Sequence, residues 1–203
     1  MTGGIGSGKS EALRAFAGCG AATLSSDEVV HEVYADPGVL AVVRERFGEG
    51  VVGAGGTLDR AALGALAFAD PDGLPFLERL VHGRVGRRRR EWIGEQLARP
   101  DRPALLVCEV PVLFEAGLED QFDAVLVVTA SDAVRRARVA ARGQDFDARS
   151  ARQVPEAEKV ARADRAYVND GSLEALRAWV ADRYAEYAGR PCGPPGHSER
   201  APG

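Results

Sequence analysis

Residues 3–10 read Gly3-Gly4-Ile5-Gly6-Ser7-Gly8-Lys9-Ser10 and satisfy the pattern G-x-x-x-x-G-K-[ST]. The physical demand behind the pattern is narrow. Backbone N–H groups can wrap a phosphate only where side chains are out of the way, so the loop is rich in glycine. The helix that follows aims its positive end at the same anion. Lys9 then reaches the β- and γ-phosphates of a nucleotide, and the Ser10 hydroxyl can ligate Mg²⁺. Gly4, Ile5, Gly6, Ser7, Gly8, Lys9 and Ser10 are the candidate nucleotide-binding residues. Of the 26 Lys and Arg residues only Lys9 and Lys159 are lysines, so a lysine at the required place is no by-product of composition.

The motif calls for a buried strand before it, and only Met1 and Thr2 precede Gly3. A strand usually runs about five or six residues. The sequence therefore leads us to expect the first strand to be almost entirely missing. A coding extension upstream of Met1 would restore it, and a chain that starts at Met1 should keep a normal loop on a weakened fold.

A length of 203 residues suits one domain with small inserted parts. The net charge of −4 gives no general electrostatic case for nucleic acid or an anionic membrane. Cys19, Cys108 and Cys192 are odd in number and form no C-x-x-C pair, which speaks against a zinc site and against a disulfide framework. With no secretory signal and no apolar run of membrane-spanning length, a reducing, cytoplasmic setting is expected.

Periodicity predicts a helix over Glu11 to Cys19, a short strand over Ala21 to Leu24, and a helix over Glu28 to Tyr34 capped by Ser26 or Asp27. From Asp36 to about Arg99 the pattern is helical, with turns at 48–57 and 70–73. Ala104 to Val110 and Ala124 to Thr129 are apolar runs of the kind buried on both faces of a parallel sheet. An Arg-rich helix over 132–142, a short helix from Asp147, a weak strand over 165–169 and a final helix over 172–188 follow. The Pro- and Gly-rich residues 189–203 are expected to be disordered. Strands alternating with helices imply an α/β fold: a parallel sheet flanked by helices, in the P-loop NTPase manner.

The N-K-x-D guanine signature and the L-S-G-G-Q signature of transporter ATPases are both absent. Seven segments instead resemble the dephospho-CoA kinase family, from Thr2 to about Ala188. They are TGGIGSGKS at 2–10, Leu24 to Asp27, Phe47-Gly48 with Gly56-Thr57-Leu58-Asp59-Arg60 and Leu63, and Val81-His82-Gly83. The series continues with VPVLFEAG at 110–117, Gln153 to Asp164, and Asn169-Asp170-Gly171. The resemblance implies transfer of the ATP γ-phosphoryl group to the ribose 3′-hydroxyl of dephospho-CoA, the last step of coenzyme A synthesis, with Mg²⁺ as cofactor. It also implies a nucleotide core (1–27, 101–135, 161–188), a helical substrate insert (28–100) and a lid (136–160). Oligomeric state stays open.

Within that reading Asp27 is the expected general base or hydroxyl-orienting group, a role compatible with capping the next helix. Lys9 and Arg142 complete the catalytic set, Arg142 as a lid arginine closing over the phosphates. Asp27, His82 and Arg138 are the candidate substrate contacts, and Ser10 with Glu109 the candidate metal ligands. Arg135 and Arg136 read as a solvated face, and so does the run Arg87 to Arg90. Glu115 reads as capping or orienting a loop. Four departures stand out: Glu11 where the family has Ser or Thr, Ser25 for Asp, Gly83 for Pro, and the short N-terminus. They keep open two alternatives, a catalytically impaired nucleotide- or CoA-binding protein and a related small-molecule kinase with another acceptor.

Overall fold

The computed structural model describes residues 1–53, 55–143, 145–151, 153–189 and 192. The chain divides into two compact units, Met1–Ser25 with Gln96–Gly203, and Ser26–Glu95.

The first unit carries the sheet. It contains α1 (Lys9–Gly18), β1 (Ala22–Ser25), β2 (Leu106–Glu109), β3 (Leu126–Thr129) and β4 (Arg165–Val168). β1 pairs with β2 and β3 with β4, both parallel, with Ala22 opposite Leu106 and Leu126 opposite Arg165. The gap between β2 and β3 is filled by Met1 and Thr2. The Met1 amino group donates to Cys108 O at 2.8 Å, and Val110 N donates to Met1 O at 3.0 Å. On the other side Thr2 N donates to Leu126 O at 2.8 Å and Val128 N to Thr2 O at 3.0 Å. Met1 and Thr2 thus occupy the place of the expected first strand. They stitch the two strand pairs into one order, β1, β2, Met1–Thr2, β3, β4, and both are buried. Each backbone N–H and C=O of the pair bonds across to a neighbouring strand.

The apolar runs that predicted β2 and β3 hold for the reason given: every residue of β3 is buried, as are Val107 and Cys108 of β2. β4 is exposed at three of its four residues, as suits an edge strand. One face of the sheet is closed by α1 and α9 (Leu173–Ala188), whose Ala12, Leu13, Phe16, Leu176, Val180 and Tyr184 share a core with Met1, Val107, Leu126 and Val128. Ser172 caps α9 through its hydroxyl, which accepts from Ala175 N at 3.1 Å.

The remaining elements of this unit are α6 (Asp132–Ala140), α7 (Phe146–Ser150) and α8 (Glu156–Ala161). Residues 136–160, the expected lid, belong to the same compact unit as the sheet. α8 was not foreseen, being short and polar.

The second unit is helical: α2 (Ser26–Ala35), α3 (Pro37–Phe47), α4 (Arg60–Ala69) and most of α5 (Gly73–Leu97). Asp36 and Asp59 cap α3 and α4, each accepting from two backbone amides. Val39, Val43, Val51, Leu63 and Ala67 are buried. Phe47 and Phe76 meet edge to face at 5.9 Å between centroids, with the Arg46 guanidinium 5.3 and 5.9 Å from the two rings. α5 runs unbroken through His82 and Gly83. A proline at 83 would remove a helical hydrogen bond there, and Gly83 keeps it.

The cysteine reading is corrected. Cys19 and Cys192 form a disulfide across 173 residues of sequence, while Cys108 is free and buried. Sequence spacing hides the pair because packing of α1 on α9 creates the proximity: Cys19 caps the C-terminal end of α1, and Cys192 follows the end of α9 by four residues. Cys192 packs against the core. The rest of the expected disordered segment beyond Gly189 lies outside the described residues.

Candidate active site

The glycine-rich loop leaves the middle of the sheet at Thr2 and enters α1 at Gly8. Two of its glycines are obligatory for different reasons. Gly3 has φ +151°, and a Cβ there would overlap the Val128 carbonyl. Gly8 caps α1 at φ +100°, where a Cβ would collide with the Asn169 amide. Gly8 has no side chain to bond the first-turn amides of α1, so the helix's positive end is left for an anion. Lys9 Nζ folds back over the loop and donates to Gly4 O at 3.0 Å.

Asn169 and Arg138 fix two of the loop carbonyls. Asn169, buried at the end of β4, donates through Nδ2 to Ser7 O at 2.8 Å, and its own N–H donates to Thr129 O at 2.7 Å. The Arg138 guanidinium donates to Gly6 O and Ser7 O at 3.4 Å and to Asn169 O at 3.0 Å. Arg138, expected to touch substrate, therefore has its guanidinium on the loop itself. Gln153 Oε1 accepts from Ile5 N at 3.1 Å.

Glu109 ends β2 with only 4% of its surface exposed, and its Oε2 accepts from Ser25 Oγ at 3.3 Å. An aspartate at 25 would instead set a second carboxylate against Glu109. Ser10 is exposed in the first turn of α1. Glu11 pairs with Arg14 one turn on, so its carboxylate is engaged along the helix.

Arg142 is exposed in the turn after α6, so it does not continue the helix that carries Arg138. Asp27 and His82 belong to the helical unit. Asp27 is exposed in the first turn of α2, two residues after β1 ends, and His82 is exposed on α5. Of the run Arg87 to Arg90, Arg88 pairs with Glu32 and Glu95 as a surface residue does, whereas Arg89 is buried, contrary to a uniformly solvated face.

Arg135 overturns the same expectation more sharply. It is 4% exposed and pairs with Asp132 at 2.8 Å and Glu156 at 3.4 Å. Lys159, fully buried, lies 3.4 Å from Glu156 and 3.5 Å from Glu115. Glu115 also accepts from Val154 N at 2.8 Å, the loop-orienting part expected of it. Arg135 and Glu156 were missed as site residues. An arginine in an Arg-rich helix and one glutamate among several carry no signal until α6 and α8 are packed.

A parallel sheet whose central position feeds a glycine-rich loop, and a helix opening from that loop at a glycine cap, define a P-loop nucleotide-binding protein. The dephospho-CoA kinase family profile matches residues 1–175. A dephospho-CoA kinase of Streptomyces avermitilis is 42% identical over 196 residues, covering 94% of this chain and 93% of its own. One from Deinococcus radiodurans is 42% identical over 180 residues, covering 87% and 85%. Among solved structures, a Thermus thermophilus protein superposes with a TM-score of 0.73 at 38% identity, covering 91% of this chain and 94% of the other. The dephospho-CoA kinase of Campylobacter jejuni shares the fold with a TM-score of 0.64 at 19% identity. The chain belongs to the dephospho-CoA kinase family.

Proposed function

We propose that this chain phosphorylates the ribose 3′-hydroxyl of dephospho-CoA with ATP, giving coenzyme A and ADP. The observation that carries the reading is the glycine cap of α1 with Lys9 folded over the loop, in a chain whose family match spans both units. Phosphoryl transfer rests on positioning and charge neutralisation more than on covalent chemistry. Loop amides and Lys9 hold the β- and γ-phosphates. The acceptor oxygen attacks the γ-phosphorus, the bond to the β–γ bridging oxygen breaks, and the hydroxyl proton passes to Asp27. Arg142 closes on the charge that develops. His82 contacts dephospho-CoA. Arg138 is assigned to bracing the loop rather than to substrate, since its guanidinium already bonds three backbone carbonyls.

The residues fit Mg²⁺ as a partner of the nucleotide. Ser10 supplies a hydroxyl and Glu109 a carboxylate, and no group of three or more His, Cys, Asp or Glu among the described residues could hold a metal ion. Such a set suits a cation that keeps waters and phosphate oxygens as its other ligands. Bound there, Mg²⁺ would neutralise phosphate charge.

No helix among the described residues is long and apolar enough to cross a membrane. We place the reaction in the cytoplasm. The test is ADP release by the full chain with ATP and Mg²⁺. Release that depends on dephospho-CoA supports the reading. Release with another acceptor alone, or ATP binding with no transfer, removes it.

A further inference from the structure

Behind the phosphate loop lies a charge cluster that the proposed chemistry does not use. Four ionic side chains meet there: Arg135 from α6, Glu156 and Lys159 from α8, and Glu115 from the segment after β2. Lys159 and Arg135 are buried, and the side chains of Glu115 and Glu156 are 17% and 21% exposed. The charges of these four buried or half-buried groups sum to zero, and Asp132, largely exposed, lies outside the set. Glu156 is its hub: Oε1 faces both Arg135 and Lys159 at 3.4 Å, and Oε2 accepts from Thr129 Oγ1 at 2.5 Å. Asp132 holds Arg135 from the solvent side at 2.8 Å.

The cluster abuts the loop directly. A Cβ on Gly4 would overlap both Arg135 Nη1 and Glu156 Oε1. Gly4 is also the residue whose carbonyl receives Lys9 Nζ, and the next amide, Ile5 N, donates to Gln153. The Gly4 peptide therefore sits between the phosphate-binding lysine and the buried charges. Ionic groups in such a place are costly to desolvate and are retained only when well compensated. At partly buried depth they act on a nearby triphosphate with little screening.

We propose that Lys159 and Glu115 are positioning residues that set the field and the seat of the phosphate loop, so that the balance of this cluster tunes its affinity for the nucleotide. The inference deepens the kinase reading but is read out by nucleotide binding alone. A purely structural cluster and a field-setting one differ in sign. Removing a positive charge leaves the loop facing a net negative cluster, and removing a negative one leaves it facing a net positive cluster.

The experiment is calorimetric titration of MgATP into the full chain without acceptor. Lys159→Met should weaken binding about tenfold, and Glu115→Gln, which keeps an acceptor for Val154 N, should tighten it about threefold. The double variant Glu115→Gln/Lys159→Met restores neutrality and should return to within about twofold of the parent. Glu158→Gln makes the same charge change on the exposed side of α8, where Glu158 pairs with Arg162, and should leave binding unchanged. Weakening by both Lys159→Met and Glu115→Gln, or no change in either, overturns the proposal. If Lys159→Met does not fold, Glu115→Gln and the double variant decide by the same signs. Opposed signs in a chain that transfers nothing to dephospho-CoA would remove the kinase reading and leave this one standing.

Discussion

Lys9 and Lys159, the chain's two lysines, stand at residues 9 and 159 and converge on one short peptide segment. Lys9 bonds the Gly4 carbonyl, and Lys159 lies beneath the same residue through Glu156. The first was legible because a motif fixes its place. The part played by the second was not, since burial of Lys159 depends on α8 closing over Glu115 and leaves no mark in local sequence. Arg135 was misread for a related reason: an Arg-rich helix looks solvated until one of its faces packs on a glycine loop. Glu11, whose carboxylate would repel a phosphate if it faced one, forms an ion pair with Arg14. Asp27 carries the chemical prediction at this scale. Asp27→Asn should lower kcat by about 10²–10⁴-fold, the usual range for a general base, with MgATP affinity little changed. Steady-state turnover and MgATP titration check it. Unchanged turnover would take Asp27 out of the mechanism.

At the scale of elements, β2 and β3 were readable from apolar runs because strands covered on both faces admit few polar residues. β4 was only a weak signal, as an exposed edge strand with Arg165 and only Tyr167 half-buried would be. The first strand is the instructive case. Met1 and Thr2 carry no periodicity, yet four backbone hydrogen bonds set them between β2 and β3. The cost falls on the amino group. Burial pulls the Met1 α-amino pKa down from 8.0 to about 6. In a chain bearing a free amine there, the group is neutral in both states above pH 8. Between pH 8 and 6 the unfolded chain takes up a proton that the folded one resists, so stability falls as pH falls. The loss should reach about 2–3 kcal/mol near pH 6 and then level off. Denaturant unfolding between pH 6 and 8.5 measures it. One residue added before Met1 replaces the amine by an amide and should flatten this step. A step that survives the addition would show that another group causes it.

For the whole molecule, the division into a sheet unit and a helical unit separates Asp27 and His82 from the loop residues along the chain. The order and spacing of the family-like segments made the broad architecture readable. The covalent link between chain ends was not, because Cys19 and Cys192 meet only through the packing of α1 on α9. That link closes most of the chain into one loop. By the chain-entropy model, oxidation should stabilise the fold by up to about 5 kcal/mol, and less where the native geometry resists it. Thiol titration of the unfolded chain should find one free thiol when oxidised, Cys108, and three after reduction. Denaturant midpoints should fall on reduction. A Cys192→Ser variant as stable as the oxidised parent would refute a stabilising role.

All of these scales serve one reaction, and its product tests them together. The full chain is incubated with ATP, Mg²⁺ and dephospho-CoA, and the products are read by mass spectrometry and ³¹P NMR. The account predicts one new phosphomonoester on the ribose 3′ position for each ADP formed, absent when Lys9 is replaced by alanine. ADP formed without that phosphomonoester, or phosphate found at another position, would contradict it.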